Sequence, residues 1–413
     1  MEQARPNGHY ATVLFDGQKY QFYYRGDKDP AVGWKTHGLD AYHAGEVTLY
    51  AESNDAVRWT LPNLGLFAHP SFPSGNIVLM DEFGVNHNFT PFIDTKPGTP
   101  AAEKYKALGG LAYQPNAEHQ KVRSRRGIGG LKAYVSADGI RWRLLQKEPV
   151  IPESWGKYFD SQNYAFWSES EQAYVCYFRR FVNGLRGIAR TTSVDFIHWT
   201  PFVEMKGNLP GEHLYTPNTQ PYTRAPHIYV ATPTRFMIKR GASTDIMFMT
   251  TRGGAEYDRT FAEAYLRPGL GKEAWANRAN YAAIGIHQTS ESELSLFLTG
   301  GRRYTLRLDG FSSLNAPLSG GEMITKALRF SGNELELNLS TSAGGSVQVE
   351  ILDEAGVPFP GFSLSDCQAI FGDELAHLVT WKKGSSVKEL AGRVARLRFV
   401  LSDADIYSFR FRE

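Results

Sequence analysis

The apolar positions of this chain fall in short strand-like runs, and long helical patterns are scarce. Runs at residues 10–15, 20–24, 47–50, 164–167 and 227–231 are rich in Tyr, Phe, Val and Ile. Most are bounded by Gly, Asp, Asn or Pro, as in sandwiches, barrels and propellers. One pattern then recurs three times: a strand followed by Ser-x-Asp-x-x-x-Trp. The copies are Ser53, Asp55 and Trp59; Ser136, Asp138 and Trp142; and Ser193, Asp195 and Trp199. Ser and Asp side chains can bond turn amides, so each copy reads as a tight hairpin. The Trp then opens the outgoing strand and fills the gap to a neighbouring sheet. The three Asp residues are therefore read as turn formers, not as catalytic acids.

Propeller blades run about 40–50 residues, more with insertions. Residues 1–302 accordingly predict a five-bladed β-propeller. From about residue 302 the pattern changes to strict polar–apolar alternation, at 333–339, 346–351, 393–401 and 406–411. These are half-buried strands with period two. The stretch 303–413 is predicted as a β-sandwich. The fold class read from the chain is thus all-β, a propeller followed by a C-terminal sandwich.

Composition narrows the function. Aromatic residues make up 13% of the 413 residues, beside 40 Gly and 21 Pro, which suits strands and turns. A net charge of +2 leaves no electrostatic footprint for nucleic acid and no polybasic membrane signal. No apolar run approaches the roughly 20 residues that span a bilayer. Cys176 and Cys367 cannot make a disulfide framework, and Cys176 reads as a buried free thiol. The opening segment lacks the marks of a signal peptide. The expectation is a cytoplasmic protein if Met1 is the native start, and a periplasmic or secreted one if a leader was removed. Phosphate-cradling, dinucleotide, nucleophile-elbow and zinc-spacing motifs are missing from the sequence, so no cofactor and no metal are expected.

The Ser-x-Asp-x-x-x-Trp hairpins resemble those of glycoside hydrolase families 32, 43 and 68. Several stretches resemble bacterial family-32-like glycosidases more closely. They are 159–163 (Phe-Asp-Ser-Gln-Asn), 211–215 (Gly-Glu-His-Leu-Tyr), 224–229 (Arg-Ala-Pro-His-Ile-Tyr), 257–261 (Tyr-Asp-Arg-Thr-Phe) and 303–310. The resemblance implies a five-bladed propeller, with a sandwich after it in family 32, and action on an oligosaccharide or polysaccharide. The chain departs from the pattern at its start. Families 32 and 43 place an acid there, whereas residues 7–13 (Asn-Gly-His-Tyr-Ala-Thr-Val) carry none.

Glycoside hydrolysis usually needs two carboxyl groups flanking the scissile bond. In a propeller the ligand sits at the central funnel, where inner strands begin. The search is therefore for acids just ahead of strands. Asp160 fits best, followed by Ser161, Gln162 and Asn163 before the run 164–167. Glu212 comes next, with His213 and Tyr215 beside it. Asp258 is the third candidate acid, flanked by Arg252 and Arg259, and Glu263 is weaker. His87 and Asn88 precede a second-blade strand and are candidates for sugar hydroxyls. Asp94 reads as a strand-end turn residue. Arg224 and His227 flank another strand start, and Arg224 could meet a carboxylate or sulfate. The basic run 121–126 reads as a solvated loop or an anionic-glycan contact. Trp155 and Trp167 are candidates for stacking, Trp167 more as core.

The sequence therefore points to a glycoside hydrolase with Asp160, Glu212 and Asp258 as its acids. The expected substrate-binding set is His87, Asn88, Gln162, Asn163, His213, Tyr215, Arg224, Arg252 and Arg259. Two other readings stay open. One is a phosphorylase, with Arg224, Arg252 and Arg259 receiving phosphate. The other is a non-catalytic glycan-binding propeller.

Overall fold

The computed structural model describes residues 9–27, 46–80, 84–111, 129–156 and 159–413. The basic run 121–126 lies outside the described residues. Among the described residues the regular structure is β-strand with a few single 3₁₀ turns. No helix there is long and apolar enough to cross a membrane.

The chain divides into two compact units, one of residues 1–287 with 295–304, the other of 288–294 with 305–413. The first unit is a succession of antiparallel sheets in chain order. β1 (Thr12–Phe15), β2 (Tyr20–Asp27), β3 (Glu46–Ser53) and β4 (Ile77–Leu79) pair in sequence. Next come β5 (Thr90–Ile93), β6 (Tyr105–Gly109), β7 (Gly130–Ser136) and β8 (Arg143–Leu144), with β9 (Ile151–Pro152) also on β7. A third sheet holds β10 (Tyr164–Ser168), β11 (Ala173–Val182), β12 (Leu185–Ser193) and β13 (Val203–Glu204). β14 (Thr219–Tyr222), β15 (Ala225–Ala231) and β18 (Met249–Thr251) form a three-stranded sheet, and β16 (Thr234–Met237) pairs with β17 (Ser243–Ile246). A further sheet is β19 (His287–Gln288), β20 (Glu293–Leu298) and β21 (Arg302–Arg307), whose residues are divided between the first and second units.

The leading strands touch one another in turn. β1 packs against β5, β5 against β10, and β10 against β14. Asn218, just before β14, donates its amide to the Ala282 carbonyl at 2.6 Å. Residues 282–284 then return to β1: the Ile284 amide bonds the Ala11 carbonyl at 2.9 Å, and the Val13 amide bonds the Ile284 carbonyl at 2.7 Å. Gly285 makes this approach possible. Its φ is +110°, and a Cβ there would stand 2.1 Å from the Val13 carbonyl oxygen.

All three Ser-x-Asp copies are turns of one design. Asp55, Asp138 and Asp195 each accept two backbone amides on Oδ1 and the hydroxyl of the preceding Ser. The Arg58 amide leads the hydrogen bonds that hold the Asp55 carboxyl below its usual range. Two of the Trp residues bridge sheets: Trp142 meets Tyr23 of β2, and Trp59 meets Phe297 of β20. The Trp thus does the packing that its position predicts. Cys176 and Cys367 are buried free thiols, and burial pushes both up.

The second unit carries one antiparallel sheet. Its path is β22 (Leu314–Ala316), β26 (Arg396–Arg412), β24 (Glu334–Leu352) and β25 (Asp373–Leu378), with β23 (Gly321–Ile324) also on β26. The separate alternating runs read from the sequence merge here into two long strands. A register shift between Thr341 and Ser346 absorbs the irregular residues, and pairing resumes beyond it. Alternate residues Leu335, Leu337, Leu339, Val347, Val349 and Ile351 enter the core.

Substituting Gly285→Ala is expected to destabilise the first unit by about 2 kcal/mol or more, since strain and clash add. Gly17, at φ +95° with open space around it, is expected to lose only about 1 kcal/mol as Gly17→Ala. Urea unfolding of both variants reads the difference.

Candidate functional site

The segments just ahead of the leading strands converge. A pocket of about 270 Å³ is lined by His9, Tyr10, Arg25, His87, Asp160, Tyr215, Asn277, Arg278 and Tyr281. His9 and Tyr10 precede β1, His87 precedes β5, Asp160 precedes β10, and Tyr215 precedes β14. Asn277, Arg278 and Tyr281 precede the stretch that returns to β1. Arg25 arrives from the far end of β2, which runs antiparallel to β1 and so ends beside its start.

Asp160 is delivered by a pinned turn. Asn88 and Asn163 both donate to the carbonyl of Phe159, which is left-handed at φ 49°. The Tyr10 hydroxyl donates to the Asp160 carbonyl at 2.8 Å. Non-glycine residues rarely adopt positive φ, and outliers gather where structure over-determines them. Tyr10 and Arg278 share that conformation, at 57° and 56°. The Asp160 carboxylate pairs with Arg179, whose side chain is 1% exposed while that of Asp160 is 30% exposed. The acid therefore faces solvent, and its partner is sealed behind it.

Tyr215 is the electrostatic centre. The guanidinium carbons of Arg179 and Arg186 stand 4.7 and 4.9 Å from its ring centroid. Arg278 Nη1 donates to its hydroxyl oxygen at 3.3 Å. Burial pushes the phenol up, but the charge of Arg179 and the hydrogen bond and charge of Arg278 prevail, holding it at about 7. Tyr10 and Tyr281 lie 5.6 Å apart and are pushed well up by burial and by the neighbouring phenols. One phenolate fits in this stack, not three. Burial and the charges of Arg25 and Arg278 push His9 down to about 4, so its imidazole is neutral near pH 7. His87 Nδ1 lies 2.7 Å from Arg25 Nη1 and 3.1 Å from both oxygens of Glu46.

The candidates read from the sequence fall into three groups. Asp160, Tyr215 and His87 line the pocket. Asn88, Gln162 and Asn163 are buried behind it, their amides donating to backbone carbonyls of Gly110, Phe159, Ala11 and Ser161. They hold the lining in place. The remaining candidates do not line it. Glu212 is clasped by Arg259, with both carboxylate oxygens engaged and side chains 5% and 7% exposed. Asp258 accepts the Thr260 amide and hydroxyl on one oxygen. His213 accepts the Arg186 amide on Nδ1. Arg224, His227, Arg252 and Glu263 are exposed elsewhere on the first unit. Asp94 bonds Lys106 at 2.5 Å and Tyr174 at 2.7 Å, both through Oδ2, and its Oδ1 accepts the Lys96 amide. Trp167 packs on Tyr174 and Trp155 on Phe202. Among the described residues no three His, Cys, Asp or Glu side chains gather as a set of metal ligands.

Sequence reasoning passed over His9, Tyr10, Arg25, Arg179, Arg278 and Tyr281. For His9 and Tyr10 the signal was present. They stand just ahead of a strand, the position that singled out Asp160, but an acid was sought there.

No family model matches the chain, and no curated protein does. Solved structures are similar to it at low identity. A glycoside hydrolase family 43 arabinoxylan arabinofuranohydrolase from Bacillus subtilis, in complex with cellotetraose, shares 10% identity at a TM-score of 0.46, over 99% of this chain and 96% of its own. A β-1,2-mannobiose phosphorylase from Listeria innocua shares 10% at 0.47, over 74% and 90%. A family 32 β-fructofuranosidase from Bombyx mori shares 12% at 0.42, over 98% and 92%.

One tyrosine is expected to titrate near pH 7 by tyrosinate absorbance. Tyr215→Phe should remove that step. Arg278→Ala should move it upward, because losing a nearby cation disfavours the phenolate.

Proposed function

We propose that the protein is a glycan-active enzyme that hydrolyses a glycosidic bond in the pocket around Asp160. The observation that carries this reading is the pairing of an exposed-facing carboxylate with a phenol that titrates near neutrality, in one polar pocket. A general acid works best when it titrates near the operating pH. Tyr215 gives its proton to the leaving oxygen as the glycosidic C–O bond breaks. The Asp160 carboxylate faces the developing positive charge, as nucleophile or as base for the incoming water. Glu212 was the sequence's candidate for the acid. Its bidentate clasp with Arg259 favours a structural role instead.

The first unit is taken as a five-bladed propeller with β16 and β17 belonging to the fourth blade. Support comes from the leading strands, whose contacts return to β1 after five steps. The second unit is taken as a sandwich. Strands as long as β24 and β26, with a register shift midway, can turn from one layer into another.

Phosphorolysis is the second reading. Basic side chains do stand beside the acid, though they are Arg25, Arg179, Arg186 and Arg278 rather than Arg224, Arg252 and Arg259.

Reducing-sugar release from a broad glycan panel, with and without phosphate, tests both. Asp160→Asn and Tyr215→Phe are expected to lose roughly 10²-fold or more with unchanged melting temperature. Glu212→Gln should lower the melting temperature and spare turnover by the folded fraction. Loss of turnover in a fully folded Glu212→Gln protein would return the acid to Glu212. Release only with phosphate would make the enzyme a phosphorylase.

A further inference from the structure

The charge balance of the pocket does not close among the described residues. Among the described residues, Arg25, Arg179, Arg186 and Arg278 gather at Tyr10 and Tyr215, and the carboxylates that meet them are Glu46 and Asp160. Glu46 serves Arg25, and Asp160 serves Arg179. Arg186 is stacked on Phe181, Tyr215 and Phe236 and has no carboxylate partner among the described residues. Arg278 has none either. Its Nε bonds Asn277 Oδ1 and its Nη1 bonds Tyr215, and the residue is exposed and lines the pocket. Arg179 adds a buried Nη1 with no hydrogen-bond acceptor among the described residues.

Guanidinium groups collected without counter-charge cost free energy that a bound anion can offset, and their planar forks match carboxylate and oxoanion geometry. Of the other lining groups, His9, Tyr10, Asn277 and Tyr281 offer hydrogen bonds that suit sugar hydroxyls, and His87 is engaged with Arg25 and Glu46. Resting on the glycan reading of this pocket, we infer that its ligand is a sugar carrying an anionic substituent, a carboxylate or a sulfate ester, received by Arg278 with Arg179 and Arg186 behind it.

This arrangement couples binding to a proton. An anion beside Arg278 offsets the cation that favours the Tyr215 phenolate, so the ligand draws a proton onto Tyr215 as it binds. The phenol is then more fully protonated for donation when the anionic sugar is in place.

The test is calorimetric titration of the full chain with galacturonic acid oligosaccharides, sulfated galactan oligosaccharides, neutral cello-oligosaccharides and inorganic phosphate. Binding of either anionic set at least tenfold tighter than the neutral set is expected. The stronger of the two names the substituent. Affinity should fall as salt rises. Proton uptake, read from buffers of different ionisation enthalpy, should accompany binding near pH 8 and vanish in Tyr215→Phe. Arg278→Ala should lose tenfold or more and Arg278→Lys recover part, with Arg58→Ala, on an exposed hairpin, unchanged. The salt and proton readouts use the unmodified protein and stand even if a variant fails to fold. Equal binding of neutral and anionic sugars overturns the inference, as does binding of phosphate alone. An anionic sugar that binds but is never cleaved sinks the hydrolase reading and leaves this one standing. Cleavage of neutral sugars with no anionic preference does the reverse.

Discussion

A sealed guanidinium sets the terms for the first unit. Arg179 is almost wholly removed from water, and a charge so placed must be paired or it unfolds its surroundings. Asp160 supplies the counter-charge, and the ring faces of Tyr215 and Phe181 cover the cation. To bring Asp160 there, the chain accepts a left-handed Phe159. Two buried amides hold that residue's carbonyl, and Tyr10 holds the next. The same cation that fixes the carboxylate also lowers the phenol above it. Structure and chemistry at this pocket therefore share one cause.

Acids elsewhere in the unit show the contrast. Asp94 with Lys106 and Tyr174, and Glu212 with Arg259, spend their oxygens on partners that shape loops and strand ends. The hairpin aspartates spend theirs on turn amides. Asp160 pairs from one side and keeps a face toward the pocket. What separates Asp160 from the carboxyls bound up in turns and ion pairs is the direction left open, not the depth of burial.

Much of the fold was legible because its signals are local. Ser-x-Asp turns satisfy their amides within four residues, and strand alternation is read two residues at a time. Asp160 was legible for the same reason, as a cluster of short polar residues ahead of a strand. Partnerships across the chain were not. Arg259 reaches Glu212 from 47 residues away, which no local pattern announces. Arg179 stands beside Arg180 in a strand otherwise rich in Phe, Tyr and Val, so the pattern does not say which of the two guanidinium groups turns inward. Arg278 lies in a stretch with no strand pattern at all, and only its left-handed backbone marks it. The merging of the late alternating runs into two strands was hidden too, because a register shift leaves no mark in period-two alternation.

The joining of Ala11 and Val13 to Ile284 has a consequence for synthesis. Contacts of such sequence separation raise the contact order and slow folding. On the ribosome, β1 emerges long before residues 282–285 and must wait for them before its open edge is covered. Until then its amides and its aromatic neighbours offer a template for wrong pairing. His9 and Tyr10 meet Arg278 and Tyr281 only at that last step. A nascent or truncated chain therefore holds no assembled pocket, and the appearance of the pocket reports that the whole first unit has closed.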